Sequence, residues 1–374
     1  MRRFLLTTAL AALLPALPAL SQTCDDRSTD YPARIALCDQ AFADSESPDA
    51  AAQALSMKAE AQRFMGDYDA AAETLRKALG YTPENAWVWV ELGNVSYDQG
   101  DTAGALANYS AALAVDDYID AWANRAETWW QFDMGQRCSD DADNALRIDP
   151  QYAFANEIKG RCLIDLDRAE EALTYFDTAI ALAPGYQNAY RNKLAALAAL
   201  GRYEDLIAVA DEALRPGVVT DPVPAIEEDI LSRRLLALAE IQPAPLVAAE
   251  AESLLLRFPQ NLAAINIRGR ALLDAGKLEE ADAATQILRS NPDGLRMEGA
   301  YLDTLAQIDV LLGRLDDAYA NYAAAVGVNP DLSKVYARSL SELGFLPLSN
   351  APAGVLTALR RCIDVKKTAC RVTG

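Results

Sequence analysis

One period of about 34 residues runs through most of the chain, and it constrains the fold more than any other feature. Small residues at Ala71, Ala105, Cys138 and Ala172 step by 34, 33 and 34. A second small series, Ala78, Ala112, Ala145, Ala179 and Ala213, steps by 34, 33, 34 and 34. Prolines keep the same time. Pro83 to Pro150 is 67, with Asp117 at the intervening place, Pro150 to Pro184 is 34, and Pro259, Pro292 and Pro330 follow at 33 and 38. Gly66, Gly100, Gly201, Gly276 and Gly313 mark a turn inside their units. Between these marks apolar residues recur at three-to-four spacing, so each unit reads as helix, glycine turn, second helix and proline stop. Small residues at fixed points let two helices approach closely, and proline cannot continue the second one.

A single helix pair cannot bury its own apolar face, so neighbouring pairs must stack. We count about eight units, starting near 52, 86, 119, 153, 187, 228, 262 and 299. The expected organisation is a first sub-array over 52–214, a Pro/Gly joint over 215–227 (its Pro and Gly residues fall in "LRPGVVTDPVPA", 214–225) and a second sub-array over 228–333. Residues 22–51 read as a capping segment pinned by cysteine, and 334–374 as a C-terminal helical cap.

The units resemble a known family. "VWVELGNVSYDQGDTAGALANYSAAL" (88–113) is similar to the tetratricopeptide repeat, with Trp89, Leu92, Gly93, Gly100, Ala105, Tyr109 and Ala112 carrying the pattern. "FANEIKGRCLIDLDRAEEALTYFDTAIALAP" and "LDTLAQIDVLLGRLDDAYANYAAAVGVNP" repeat it. The resemblance implies an all-α, right-handed superhelical solenoid of helix-turn-helix units. It also implies a concave groove, lined by the first helix of each unit, that binds peptides or partner proteins. The family's groove positions fall on Trp87, Val90, Asn94 and Tyr97, then on Glu127, Trp130 and Gln131, on Glu157 and Arg161, and on Asn266 and Arg270. Trp89, Trp122 and Trp129 occupy packing positions, which leaves Trp87 and Trp130 as aromatic anchors of the kind binding hot spots use. Asn94 matches an asparagine of the family's carboxylate-clamp subset, but Ser56, Ala123 and Glu127 stand at the neighbouring positions where lysines would complete that clamp. An acidic groove with aromatic steps favours basic or extended peptide segments instead.

Composition narrows the chemistry. Among 374 residues there are 54 Asp and Glu against 34 Lys and Arg, and no histidine. Ser-His-Asp and Cys-His catalysis and every His-ligated metal site are thereby excluded. A formal charge of -20 argues against nucleic acid as a partner. The phosphate-loop, nucleophile-elbow and zinc-protease motifs are missing. Asp140, Asp141 and Asp143 lack the spacing of a calcium loop and read as a solvated helix face. No catalytic residue, cofactor or metal is expected, and the chain reads as a non-catalytic interaction scaffold.

The N-terminus reads as an address. Arg2 and Arg3 precede an apolar stretch from Phe4 to Leu14, and Ala19 and Ser21 stand at -3 and -1 of a cut, so residues 1–21 read as a secretory signal peptide. The segment from 22 to 50 resembles the start of exported bacterial tetratricopeptide proteins. The expected location is the periplasm of a Gram-negative bacterium, with no transmembrane segment. In that oxidising compartment six cysteines favour disulfides between sequence neighbours: Cys24 with Cys38, Cys138 with Cys162, and Cys362 with Cys370. The alternative for Cys138 and Cys162 is a pair of buried thiols. Finally, "VYARSLSELGFLPLSNAPAGVLTALRRC" (335–362) resembles peptidoglycan-binding modules at Leu340, Gly344, Phe345, Ala358 and Leu359, without their loop motif. Contact with peptidoglycan is therefore the second functional reading.

Overall fold

The computed structural model describes residues 23–27, 29–220, 222–290, 299–346, 354–370 and 372. The expected signal peptide lies outside them, as does the 347–353 portion of the peptidoglycan-like segment. The described residues form no β-strand; one isolated bridge joins Pro216 to Val219. They fall into two compact units, divided between Asp165 and Leu166.

The first unit contains α1 (Tyr31–Ala43), α2 (Pro48–Phe64), α3 (Tyr68–Tyr81), α4 (Ala86–Asp98), α5 (Thr102–Val115), α6 (Ile119–Trp130), α7 (Gly135–Ile148) and α8 (Ala153–Asp165). Each helix packs on the next, and the alternate helices α2, α4, α6 and α8 also touch in succession. That pattern is a stack of helical hairpins. The second unit contains α9 (Ala169–Leu182), α10 (Gln187–Ala199), α11 (Tyr203–Ala213), α12 (Pro224–Ile241), α13 (Ala244–Arg257), α14 (Leu262–Asp274), α15 (Leu278–Ala284), α16 (Gln286–Ser290), α17 (Gly299–Leu311), α18 (Leu315–Val328), α19 (Leu332–Glu342) and α20 (Val355–Lys366). It stacks in the same way. The Pro/Gly loop over 215–227 lies inside this unit, because α12 packs on both α10 and α11 across it. Helix α12 begins at Pro224, within that stretch, since proline's fixed φ suits a first helical turn where no N–H partner is needed.

Local chemistry sets the helix ends. The side chains of Asp30, Ser47, Asn85, Asp101 and Asn261 accept hydrogen bonds from the third residue on, at 2.8 to 3.4 Å. Each satisfies one of the free N–H groups of a first turn. The turn glycines hold positive φ, for example +77° at Gly100. In two units the glycine is missing and aspartate takes the same conformation, at Asp133 (φ 53°) and Asp167 (φ 58°). Aspartate tolerates the left-handed region better than most side chains.

The repeating small residues are the contact points of the stack. Ala71, Ala105, Cys138 and Ala172 are all fully buried, as are Ala78, Ala112, Ala145 and Ala179. Gly93 is a point of close approach: a Cβ there would overlap the Tyr109 ring, which lies against the α4 backbone.

Three disulfides join Cys24 to Cys38, Cys138 to Cys162 and Cys362 to Cys370. The first pins the segment before α1, whose chain is also held by the buried Arg34 Nε donating to the Cys24 carbonyl at 3.0 Å. The second staples α7 to α8 inside an apolar cluster with Ala126, Ala142 and Ile158. The third closes the C-terminal cap, where Tyr322 Oη donates to the Val372 carbonyl at 3.0 Å. Leu340, Ala358 and Leu359 are buried in the same cluster.

One expectation about charge is corrected here. Asp141 is not on a solvated face: it is buried, and it accepts from Arg125 Nε at 2.7 Å, Arg125 Nη2 at 2.8 Å and Trp129 Nε1 at 3.0 Å. A carboxylate so buried needs such a partner set. Asp143 pairs with the buried Lys159 at 2.6 Å, and Asp140 remains on the surface beside Gln136.

Candidate functional site

The alternate helices of the first unit place a row of polar side chains along one face. Asn94 and Tyr97 project from α4, Asn124 and Glu127 from α6, one helical turn apart in each case. With Arg63, Asp98 and Tyr109 they line a cleft of about 250 Å³. Three of the expected groove residues, Asn94, Tyr97 and Glu127, are thus brought together.

Asn94 is the centre of this cleft. Its Oδ1 accepts from Tyr109 Oη at 2.8 Å and from Asn124 Nδ2 at 3.0 Å, so two hydrogen bonds set the amide's orientation. Its Nδ2 donates to Glu91 Oε1 at 3.3 Å. Burial pushes the Glu91 carboxyl above the ordinary glutamate value against the opposing pull of Arg63. Glu91 Oε2 and Arg63 Nε stand 4.0 Å apart and neither makes a hydrogen bond. Arg63 is instead engaged through Nη1 with Asp98 Oδ2 at 2.7 Å. The Tyr97 hydroxyl is pushed up to about 12 by burial first and by the Glu127 carboxylate second. It accepts a hydrogen bond from Gln131 Nε2.

A second group adjoins through Glu127. The Arg161 guanidinium lies 3.6 Å from the centroid of the Trp130 ring, 3.2 Å from Glu127 Oε1 and 3.6 Å from Glu157 Oε2. Trp130, Glu127, Glu157 and Arg161 therefore form one cluster in which the cation already covers the indole face. Glu157 is itself fully buried, so Arg161 is its counter-charge rather than a free hand for a ligand.

Trp87 stands elsewhere. It lines a different cleft of about 520 Å³, shared with Asp49, Glu84, Asp116 and Tyr118, and its ring packs on the cluster around Leu55 and Leu75. The two tryptophans offered as paired anchors are thus in separate places. Trp89 and Trp122 behave as packing residues whose indole N–H groups cap loops, donating to the Pro83 carbonyl at 3.0 Å and to Asp117 Oδ1 at 2.6 Å.

Residue spacing alone missed Arg63, Asp98, Asn124 and, as a groove residue, Tyr109. Asn124 carried a usable signal, since it lies three residues before Glu127 on the same helix and so on the same face. Tyr109 carried none: its position reads as packing, and only the close approach permitted by Gly93 brings its hydroxyl through to Asn94.

Chemically, the cleft offers two oriented amides, a phenol and charges of both signs. Oriented amides can meet the N–H and C=O groups of an extended polypeptide. Among the described residues no group of three or more Cys, Asp or Glu side chains could hold a metal ion. Nor is any described helix long and apolar enough to cross a membrane.

Comparison with known proteins agrees with this architecture. Tetratricopeptide-repeat family models match residues 56–126 and 155–186. The chain is 25% identical over 175 residues to the DnaJ homolog subfamily C member 7 homolog of Schizosaccharomyces pombe, across 42% of this chain and 37% of that protein. It is 26% identical over 165 residues to Protein FlbA of Caulobacter vibrioides, across 43% of this chain and 27% of that protein. The chain thus spans well under half the length of these two relatives. A solved structure of Pseudomonas aeruginosa pilF is similar with a TM-score of 0.50 at 17% identity, covering 58% of this chain and 96% of that one. That likeness shows an all-α fold of stacked helical hairpins. With the two repeat matches it supports a tetratricopeptide repeat protein.

Proposed function

We propose that this tetratricopeptide repeat protein is a non-catalytic interaction scaffold of the bacterial cell envelope, exported to the periplasm, that holds an extended segment of a partner protein in the cleft of its first unit. The observation that carries this reading is the Asn94–Asn124–Tyr109 network. A partly buried hydrogen-bond network fixes the orientation of its members, and here it presents amides at a cleft wall rather than sealing a core. Three disulfides and the N-terminal leader pattern support export, because such bonds persist in oxidising compartments. The repeat architecture supports binding over catalysis.

The test is crosslinking of the native protein in the envelope followed by mass spectrometry, repeated with Asn94→Ala and Asn124→Ala combined. Crosslinks to a partner should map to α4 and α6 and should fall by about tenfold in the double variant with helical content unchanged, as loss of a central contact worth about 1.4 kcal/mol predicts. Undiminished capture by a folded double variant refutes the assignment of the cleft.

A further inference from the structure

Charge is distributed unevenly along the chain. Residues 355–372 carry five Lys and Arg against one Asp, whereas elsewhere 53 acidic residues face 29 basic ones. Four of those cations, Arg360, Arg361, Lys366 and Lys367, lie on α20 and in the loop that the Cys362–Cys370 disulfide closes after it. The loop is rooted at both ends: Cys362, Cys370 and Val372 are fully buried, and the Val372 carbonyl accepts from Tyr322 Oη. Between buried Ile363 and buried Cys370, every residue from Asp364 to Ala369 is exposed. The cap thus presents a fixed tip of six exposed residues.

Two features separate this tip from ordinary surface charge. The first is that most of its cations are free. Arg360 is engaged with Asp316 at 2.9 Å and with Asp364, the one carboxylate of the tip, at 3.2 Å. Arg361, Lys366 and Lys367 make no ion pair with any described residue. The second is an apolar side chain set among them. Val365 is 68% exposed, and it stands four residues after Arg361 on α20, so the two share a face. Lys367 also holds a positive φ of 53°, a conformation that glycine adopts more easily, and the turn carries a long cation there instead. Because the disulfide and the Tyr322 bond already fix the loop, contact with a partner orders little further chain.

We propose that this tip is a docking surface for the anionic headgroups of a phospholipid bilayer. Phosphate oxygens accept the forked N–H groups of Arg361, and the flexible stems of Lys366 and Lys367 let their ammonium groups reach headgroups at different heights. Val365 enters the boundary between headgroups and acyl chains, where an apolar group beside cations is favoured. A convex tip suits such a surface better than an acidic protein does. A bilayer conforms around it, whereas a folded partner must supply a matching hollow. The rest of the chain is acidic, but at physiological salt charges more than about 8 Å from the headgroups are largely screened and oppose contact weakly. Each Lys or Arg near an anionic surface contributes about fivefold in affinity, so three free cations give reversible contact rather than permanent anchoring.

The experiment sediments the full disulfide-bonded chain with vesicles of phosphatidylcholine, alone or with about 30% phosphatidylglycerol, and in parallel measures its binding to purified peptidoglycan and to soluble polyglutamate. At about 0.1 M salt the chain should partition onto the phosphatidylglycerol vesicles at least about tenfold more strongly than onto phosphatidylcholine alone. Lys366→Gln with Lys367→Gln should weaken that binding by about twentyfold, and Arg361→Gln by about fivefold. Val365→Ser should weaken it by about threefold and leave its salt dependence unchanged. Arg76→Gln with Lys277→Gln removes two exposed cations elsewhere and should have no effect, which separates the tip from net charge. Helical content is checked in each variant, and Arg361→Gln decides should the double lysine variant lose it. The proposal is overturned by absence of binding to the phosphatidylglycerol vesicles, by equal binding to phosphatidylcholine alone, or by equal loss in the Arg76, Lys277 variant. Tighter capture by peptidoglycan or by polyglutamate than by the anionic vesicles also overturns it, in favour of a glycan or an acidic protein.

Discussion

Single residues show where this chain departs from its own repeat, and what each departure costs. Most turns place glycine at positive φ, but Asp133 and Asp167 hold the same conformation with a side chain. Asp133 also sits near Asp165, whose carboxyl is raised by burial first and by Asp133 second. Asp133→Gly should therefore stabilise the first unit by about 0.5–1 kcal/mol in urea unfolding, whereas Gly100→Ala should cost about 1 kcal/mol through backbone strain alone. The second substitution meets no neighbouring atom, which isolates the backbone effect. Glu91 makes a pH prediction. Its folded pKa lies above the unfolded one, so the folded state binds the proton more tightly. The stability tied to Glu91 is present below the unfolded value and is lost as pH rises through the folded one. Wild-type stability relative to Glu91→Gln should thus decline across that window and level off above it. A flat difference between the two proteins would show that burial does not perturb this carboxyl.

Helices, and the links between them, are where sequence periodicity becomes packing. The recurring alanines predict which faces meet, and the fully buried positions are those faces. The α7–α8 contact has an added covalent bond between Cys138 and Cys162, 24 residues apart in sequence. Closing a loop of that length restricts the unfolded chain and should contribute about 3 kcal/mol. Cys138→Ala with Cys162→Ala should lower the urea midpoint of the first unit accordingly. The same variant should also loosen the cluster of Trp130 and Arg161, because Cys162 and Arg161 are adjacent on α8 and the disulfide fixes that helix against α7. Trp130 fluorescence should shift to the red in the variant while Trp87 does not change.

Across the whole chain, net charge sets how stability responds to salt. An excess of 20 negative charges repels itself in the folded state, and added salt screens that repulsion. The melting temperature should rise as sodium chloride increases from low concentration to about 0.5 M, where the screening length is only a few ångströms. The many ion pairs do not reverse this expectation, since most have at least one partly exposed member and surface pairs are worth about 0–1 kcal/mol each. A melting temperature that falls with salt would mean that attractive networks, such as Asp309 with Arg289 and Arg314, outweigh the net repulsion.

The linear chain by itself determined the helical repeat, the small-residue contact points and the turn positions; it favoured pairing between neighbouring cysteines, and the structure decided it. All of these are local or periodic, and a period repeated many times is read from spacing alone. The resemblance to the tetratricopeptide repeat also pointed to Asn94, Tyr97 and Glu127, and these three line one cleft. Only tertiary structure decided that Trp87 and Trp130 serve different surroundings, that Arg161 already covers the Trp130 ring, and that Asp141 is a buried partner of Arg125. It also decided that the Tyr109 hydroxyl reaches the cleft of the first unit. Those outcomes depend on which side chains from different helices arrive within 3 to 4 Å of each other. No spacing along one chain encodes that distance; it follows from how closely the helices pack.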